Sequence, residues 1–260
     1  MTVARPACPH VLEGKTSHMS VPSLRHLSLP EEFVLLSHFS NGEVHGSVRA
    51  VIGCAAAELG ELALRRKLLV LSRKSKWFGF DAYRMHGVHI ELLDAGPTGL
   101  VWADALLAEL HQHCSASEHG RARLHRWFQH RLQAFSLHRD ALATRGILFP
   151  RPGGPTGLFR ARQRHYPHHV LRDALIAEVR AAGNEQSRID EHMLFLSDLV
   201  ETVGLGKELG AGMSVRRKLD RSRGVGAVEF LPEDLRDTSS ALIAAVPTHD
   251  NDRRYGRIRV

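Results

Sequence analysis

The chain has 260 residues, 43% of them apolar, which is enough for one large core or two small ones. Its net charge of +7 favours an acidic partner. Three widely separated cysteines (Cys8, Cys54, Cys114) exclude a disulfide framework and paired metal-ligand spacing, and no run approaches the ~20 apolar residues of a membrane span.

Residues 1–26 mix Pro, Ser, His and Gly without periodicity and read as a flexible leader; they lack the apolar stretch of a signal peptide, so a soluble, intracellular protein is expected. A helix begins at Leu29-Pro30, with Glu31 and Glu32 at its positive end and Phe33, Leu35 and Leu36 on its buried side. "SNGE", 40 to 43, is a turn. From Val48 to Ala63, apolar residues recur at helical spacing, and the many alanines suit a helix near the centre of a bundle. Glu58 and Glu61 share a face of it and read as solvated. "GELALRRKLLVL", 60 to 71, then runs helix into strand through Arg65, Arg66 and Lys67. A polar-aromatic link, "KSKWFGFDAYRMHG", leads to the strand "VHIELL" and the turn "DAGPTG".

Helices are predicted at about 101–113 and 119–144, the second ended by Gly146 as a glycine beyond its C-cap. Residues 147–162, "ILFPRPGGPTGLFRAR", read as a β-hairpin around a Pro/Gly turn. Helices follow at 168–182, 188–203 and 207–220, then a weak helical piece at 232–245. These elements predict a mainly α protein: a single-domain helical bundle with short strand pairs and a protruding β-hairpin. The divisions are a leader over 1–26, a helical domain over 27–223 and a C-terminal extension over 224–260.

The charge is concentrated. Residues 121–172 hold eleven arginines, six histidines, no lysine and one acid, Asp140. Arginine without lysine suits bidentate contact with phosphate or carboxylate, because its planar fork offers paired donors. Leu158 and Phe159 lie near the hairpin turn, with Arg151, Arg160, Arg162 and Arg164 around them. An apolar tip in a basic collar fits the boundary of an anionic membrane.

Other motifs fall short. "GLGKELGAG", 204 to 212, lacks the first glycine and the hydroxyl of a phosphate loop, since Glu201 and Glu208 stand in those places. "HQHC" and "HYPHH" have no second cluster at zinc spacing and read as surface histidines, so no metal or other cofactor is expected. No nucleophile elbow is present. An enzyme is not expected.

The segments "LSLPEEFVLLSHF", "ELALRRKLLV", "LLDAGPTGLVWADALLAEL", "LATRGIL" and "RIDEHMLFLSDLVETVGL", in this order, resemble the Golgi phosphoprotein 3 family in its bacterial branch. The resemblance runs from about Leu27 to Leu219. It implies a single helical domain in which the helix-to-strand join after "ELALR" is a hallmark of the core. It also implies a peripheral membrane adaptor that binds phosphatidylinositol 4-phosphate, inserts an apolar hairpin and holds the tails of membrane-associated enzymes. The family's pocket Trp and first Arg fall on Gly46 and Ala55, with Arg49 the nearest basic residue. Its other two arginines fall on Leu132 and Phe135, with Arg131 and Arg139 close by.

The expected headgroup ligands are therefore Arg49, Arg126, Arg131, Arg139, Arg160 and Arg162, with Leu158 and Phe159 as the membrane anchor. Glutamate at Arg131 and Arg139 is expected to weaken lipid binding and leave the fold intact. The rival readings are an arginine-rich nucleic-acid-binding protein and a soluble docking module for a partner enzyme. Lipid binding should need Leu158 and Phe159; DNA binding should not.

Overall fold

The computed structural model describes residues 27–77, 80–83, 87–117, 120–151, 163–184 and 188–246. In chain order the first half contains α1 (Leu29–Ser37), α2 (Ser47–Leu64), β1 (Leu68–Leu71), β2 (Lys74–Trp77), β3 (Phe80–Tyr83), β4 (His89–Leu92) and α3 (Val101–Ser115). Next come β5 (Ala122–Arg123), α4 (Leu124–His130), α5 (Ala134–Thr144), β6 (Leu148–Arg151), β7 (Arg164–Pro167) and α6 (His169–Gly183). The described residues end with α7 (Glu191–Thr202), α8 (Leu205–Glu208), α9 (Val215–Arg223), a 3-10 turn at Gly226–Val228 and α10 (Glu233–Ala245). The protein is mainly helical, with short antiparallel strand pairs.

Helix α2 is the hub, packed by α1, α5, α7 and α10. Small residues allow this. A Cβ at Gly53 would stand 2.4 Å from Phe33 Cζ, and one at Gly60 would stand 2.7 Å from Leu29 Cδ2 and 3.0 Å from Phe195 Cδ1. Neighbouring side chains thus fill the space that larger residues would claim. Helix α1, expected to bury one side, is buried at all nine positions. Its first amide, which has no partner within the helix, is met from the hub: Leu29 N–H donates to Glu61 Oε2 at 2.9 Å.

Two helix-to-strand joins share one device. After α2, Lys67 N–H donates to Leu62 O and Arg66 N–H to Ala63 O, both at 2.9 Å. After α5, Ile147 N–H donates to Leu142 O and Gly146 N–H to Ala143 O. Both are Schellman closures, which place the residue beyond the cap in the left-handed region. Gly146 takes that place freely at φ 68°, whereas Arg66 takes it at φ 58° as a non-glycine. Arg66 is held there by Asp234 at 2.9 Å and Glu191 at 3.2 Å, at the starts of α10 and α7.

The stretches "ELALRRK" and "DAGPTG" turn out to be one assembly. Lys67 pairs with Asp94, whose other oxygen accepts from Gly96 N–H at 2.8 Å. Arg65 donates to Thr98 O at 2.8 Å, and Thr98 in turn donates its amide and hydroxyl to Asp104 at 2.6 Å. These bonds hold the carboxyls of Asp94 and Asp104 below the usual range.

Several boundaries differ from expectation. The link after β1 is itself a hairpin, β2 pairing antiparallel with β3. The helix expected over 119–144 is broken, because β5 adds to β4 and the chain leaves helical geometry at Arg131 (ψ 36°). The helix expected over 207–220 is split into α8 and α9, since Gly204 (φ 80°) and Gly210 (φ 59°) adopt left-handed geometry on either side of α8. In the hairpin, β6 pairs with β7 from Leu148↔Pro167 to Arg151↔Arg164, so the described pairing reaches past the expected 147–162 to Pro167, while residues 152–162 lie outside the described residues.

The weak helical piece of the tail is α10, which packs on β1, α2 and α7. Its buried side carries hydroxyls as well as apolar groups, which blurs its periodicity. Thr238 Oγ1 accepts from Val70 N–H at 3.2 Å, and Ser239 Oγ donates to Asp198 Oδ2 at 2.7 Å. No helix among the described residues is long and apolar enough to cross a membrane.

Candidate anion-binding face

Glu58 and Glu61 are not solvated; both are buried, Glu58 fully. A buried carboxylate needs donors around it. Arg131 supplies a fork to Glu58, Nε to Oε2 at 2.8 Å and an Nη to Oε1 at 3.0 Å, and His138 Nε2 lies 3.0 Å from Oε1. Glu109 adds a longer contact with Arg131 at 3.5 Å. Arg131 is itself buried, with burial opposing its charge and the Glu58 bond and charge raising its pKa overall. It is therefore a structural cation that locks the α4–α5 break onto α2, and its fork is already occupied. This corrects the expectation of Arg131 as a headgroup ligand. Glutamate there would face Glu58, so the fold is not expected to survive it.

Arg139 lies elsewhere. It is about three-quarters buried, pairs with exposed Asp140 at 3.0 Å, and belongs to a basic group at the foot of the β6–β7 hairpin. At the end of α1, His38 Nδ1 lies 2.8 Å from Val34 O; a carbonyl only accepts, so Nδ1 carries the proton. Burial takes His38 down to about 4, opposed by that bond, and the positive neighbours His165, Arg139 and Arg172 add to the fall. His165 is lowered by burial and then by Arg139, against Asp140. Arg172 is lowered by burial, partly offset by Asp173. Its Nε is buried with no hydrogen-bond partner among the described residues, as is Nδ1 of His168.

The rest of the foot is built by packing. The turn between α1 and α2 presses on β7: a Cβ at Gly42 (φ 79°) would stand 3.0 Å from Arg164 Cβ and 3.2 Å from the Tyr166 ring. Arg164 pairs with Glu43 at 3.2 Å. Arg151 lies over the Tyr166 ring, 5.2 Å from its centroid. Beside these cations, Phe149 and Val170 are 41% and 51% exposed, so the foot joins apolar surface to arginine. Of the "HYPHH" histidines, His165 is buried, which corrects its reading as a surface histidine, while His168 is half-buried and His169 exposed.

The remaining expected residues are dispersed. Arg49 is half-buried at the α7–α8 corner, its Nη1 3.6 Å from the site of a Cβ on Gly204. Arg126 lines a separate cleft of about 460 Å³ between α3, β5 and α4. Arg160, Arg162, Leu158 and Phe159 lie outside the described residues. The family pocket positions are also informative. Ala55 and Phe135 are buried in the core, with Phe135 stacked on His38 at 5.6 Å, while Gly46 and Leu132 are exposed. His38 and Arg172 were not singled out from the sequence, and His165 was read only as a surface histidine of "HYPHH"; the dense arginine block holds His165 and Arg172, whereas His38 had no signal.

Among the described residues no group of three or more His, Cys, Asp or Glu side chains could hold a metal ion. Cys54 and Cys114 are buried, and burial raises both thiols.

No curated protein matches the chain at a significant level. The family model for Golgi phosphoprotein 3 (GPP34) matches residues 29–242, from the first helix through most of α10. That span contains the hub, both Schellman joins and the interlocked "ELALRRK" and "DAGPTG" segments. The chain belongs to the Golgi phosphoprotein 3 (GPP34) family.

Proposed function

We propose that this chain is a non-catalytic peripheral membrane adaptor, cytoplasmic and docked on acidic phospholipid by the foot and tip of the β6–β7 hairpin. The observation that carries this reading is the foot itself: Arg139 and Arg172 gather around His38, and Phe149 on β6 and Val170 on α6 are exposed. Guanidinium groups meet lipid phosphates while apolar side chains enter the headgroup boundary. Arg160 and Arg162 as further phosphate contacts, and Leu158 with Phe159 as the anchor, belong to this proposal from outside the described residues. The headgroup is held chiefly by charge, because Ala55 and Phe135 are buried where the family pocket has arginines. A phosphatidylinositol 4-phosphate headgroup would meet the same two arginines. The cargo class implied is the tails of membrane-associated enzymes.

Co-sedimentation with phosphatidylserine vesicles tests this reading. Arg139→Gln with Arg172→Gln, and separately Leu158→Asp, should each cut the bound fraction several-fold, with unchanged far-ultraviolet circular dichroism. Unchanged binding in both folded variants would refute it. If Leu158→Asp abolished vesicle binding but duplex DNA still bound, the anchor would be specific to lipid; DNA binding without any vesicle binding would put nucleic acid in its place.

A further inference from the structure

The cleft between α3, β5 and α4 belongs to none of the elements of the hairpin foot. Three arginines, Arg121, Arg123 and Arg126, line it together with His89, His113 and Trp127. Strand register explains the gathering: β5 pairs antiparallel with β4 and sets His89 opposite Arg123. Leu124 N–H then continues the ladder to Val88 O at 3.0 Å, which turns α4 so that Arg126 and Trp127 face the end of α3. Arg121 is engaged by Glu91 at 2.6 Å. No ion pair among the described residues engages Arg123 or Arg126, and both are exposed.

The indole is the second observation. Trp127 is 2% exposed, yet its Nε1 is buried without a hydrogen-bond acceptor among the described residues. The His113 ring stands perpendicular to it, with centroids 5.6 Å apart. An indole N–H can only donate, and a buried donor without an acceptor is costly. Among the described residues the cleft is thus lined by three guanidinium groups, three imidazoles and the indole, with no carboxylate; Glu91, which pairs with Arg121, lies outside the lining. Its size is within the range of about 300–1,000 Å³ typical of small-molecule sites.

We propose that this cleft binds a phosphate ester of a small polar molecule, with Arg123 and Arg126 as the phosphate contacts and Trp127 Nε1 as a neutral donor. Arginine forks match phosphate oxygens in pairs. The indole would fix the orientation of the ligand and gain the acceptor it lacks. The inference is independent of the hairpin, so it stands or falls apart from the membrane reading.

Sodium pyrophosphate is the first probe, added to the ¹⁵N-labelled full chain while the indole N–H resonances are followed. The chain has three tryptophans, and Trp77→Phe and Trp102→Phe variants identify two resonances, leaving that of Trp127 without altering it. The Trp127 resonance should shift saturably, and Arg123→Ser with Arg126→Ser should weaken binding at least tenfold. Glycerol 3-phosphate and phosphatidic acid vesicles then serve as competitors. Displacement by the soluble ester marks a metabolite, and displacement by the vesicles marks a lipid headgroup; either supports the site. An equal shift with sodium chloride at matched ionic strength, unchanged affinity in the folded double variant, or displacement by neither competitor would overturn the proposal.

Discussion

Glu58 is fully buried and receives bonds from Arg131 and His138, so the charges at this point are coupled. Removing one member of a buried ion pair leaves its partner unpaired and costs about 3–5 kcal/mol. Arg131→Met should therefore lower the unfolding free energy by about that much in urea titration. Glu58→Met together with Arg131→Met should recover part of the loss, and a double variant no more stable than the single one would contradict the pairing. His38 gives a pH signature. Its pKa falls from 6.5 to about 4, so the unfolded chain binds the extra proton between those values. Its contribution is complete above pH 6.5 and is lost as the pH falls towards 4, up to about 3 kcal/mol. His38→Gln should flatten the acid limb of a stability–pH curve; an unchanged limb would mean that other groups set it.

At the scale of elements, the hub depends on glycine. Gly53→Ala gains helix propensity of about 0.5–1 kcal/mol. It also drives a Cβ to 2.4 Å from Phe33, which is fully buried, and to 3.0 Å from Val203. Overpacking of this kind costs typically about 1–3 kcal/mol, so the variant should be net destabilised, read as a lower melting temperature. A higher melting temperature would show that α1 can yield. The hub was legible in the sequence because α2 keeps regular apolar spacing over 18 residues and its alanines mark close packing. The break at Arg131 was not, because only the tertiary position of Glu58 makes that arginine turn inward. Helix α10 was faint for the reason that Thr238 and Ser239 answer Val70 and Asp198 from its buried side. The arginine block pointed to a basic face, yet its members separate into a buried lock, a hairpin foot and a cleft, a division that only three-dimensional neighbours decide.

For the whole molecule, a net charge of +7 is distributed unequally: residues 121–172 carry a formal +10 and the rest sum to −3. Screening limits long-range steering to about 8 Å at physiological ionic strength. The adaptor reading thus requires the hairpin side to face the membrane, with weaker binding as salt rises. Flotation of the purified chain with three vesicle sets tests this most directly: neutral phosphatidylcholine, added phosphatidylserine, and phosphatidylinositol 4-phosphate at matched charge. Comparable flotation with both anionic sets and none with the neutral set is the predicted result. Failure to float with any set would contradict the membrane account, and a clear preference for the phosphoinositide would contradict its claim that charge, rather than a shaped pocket, holds the headgroup.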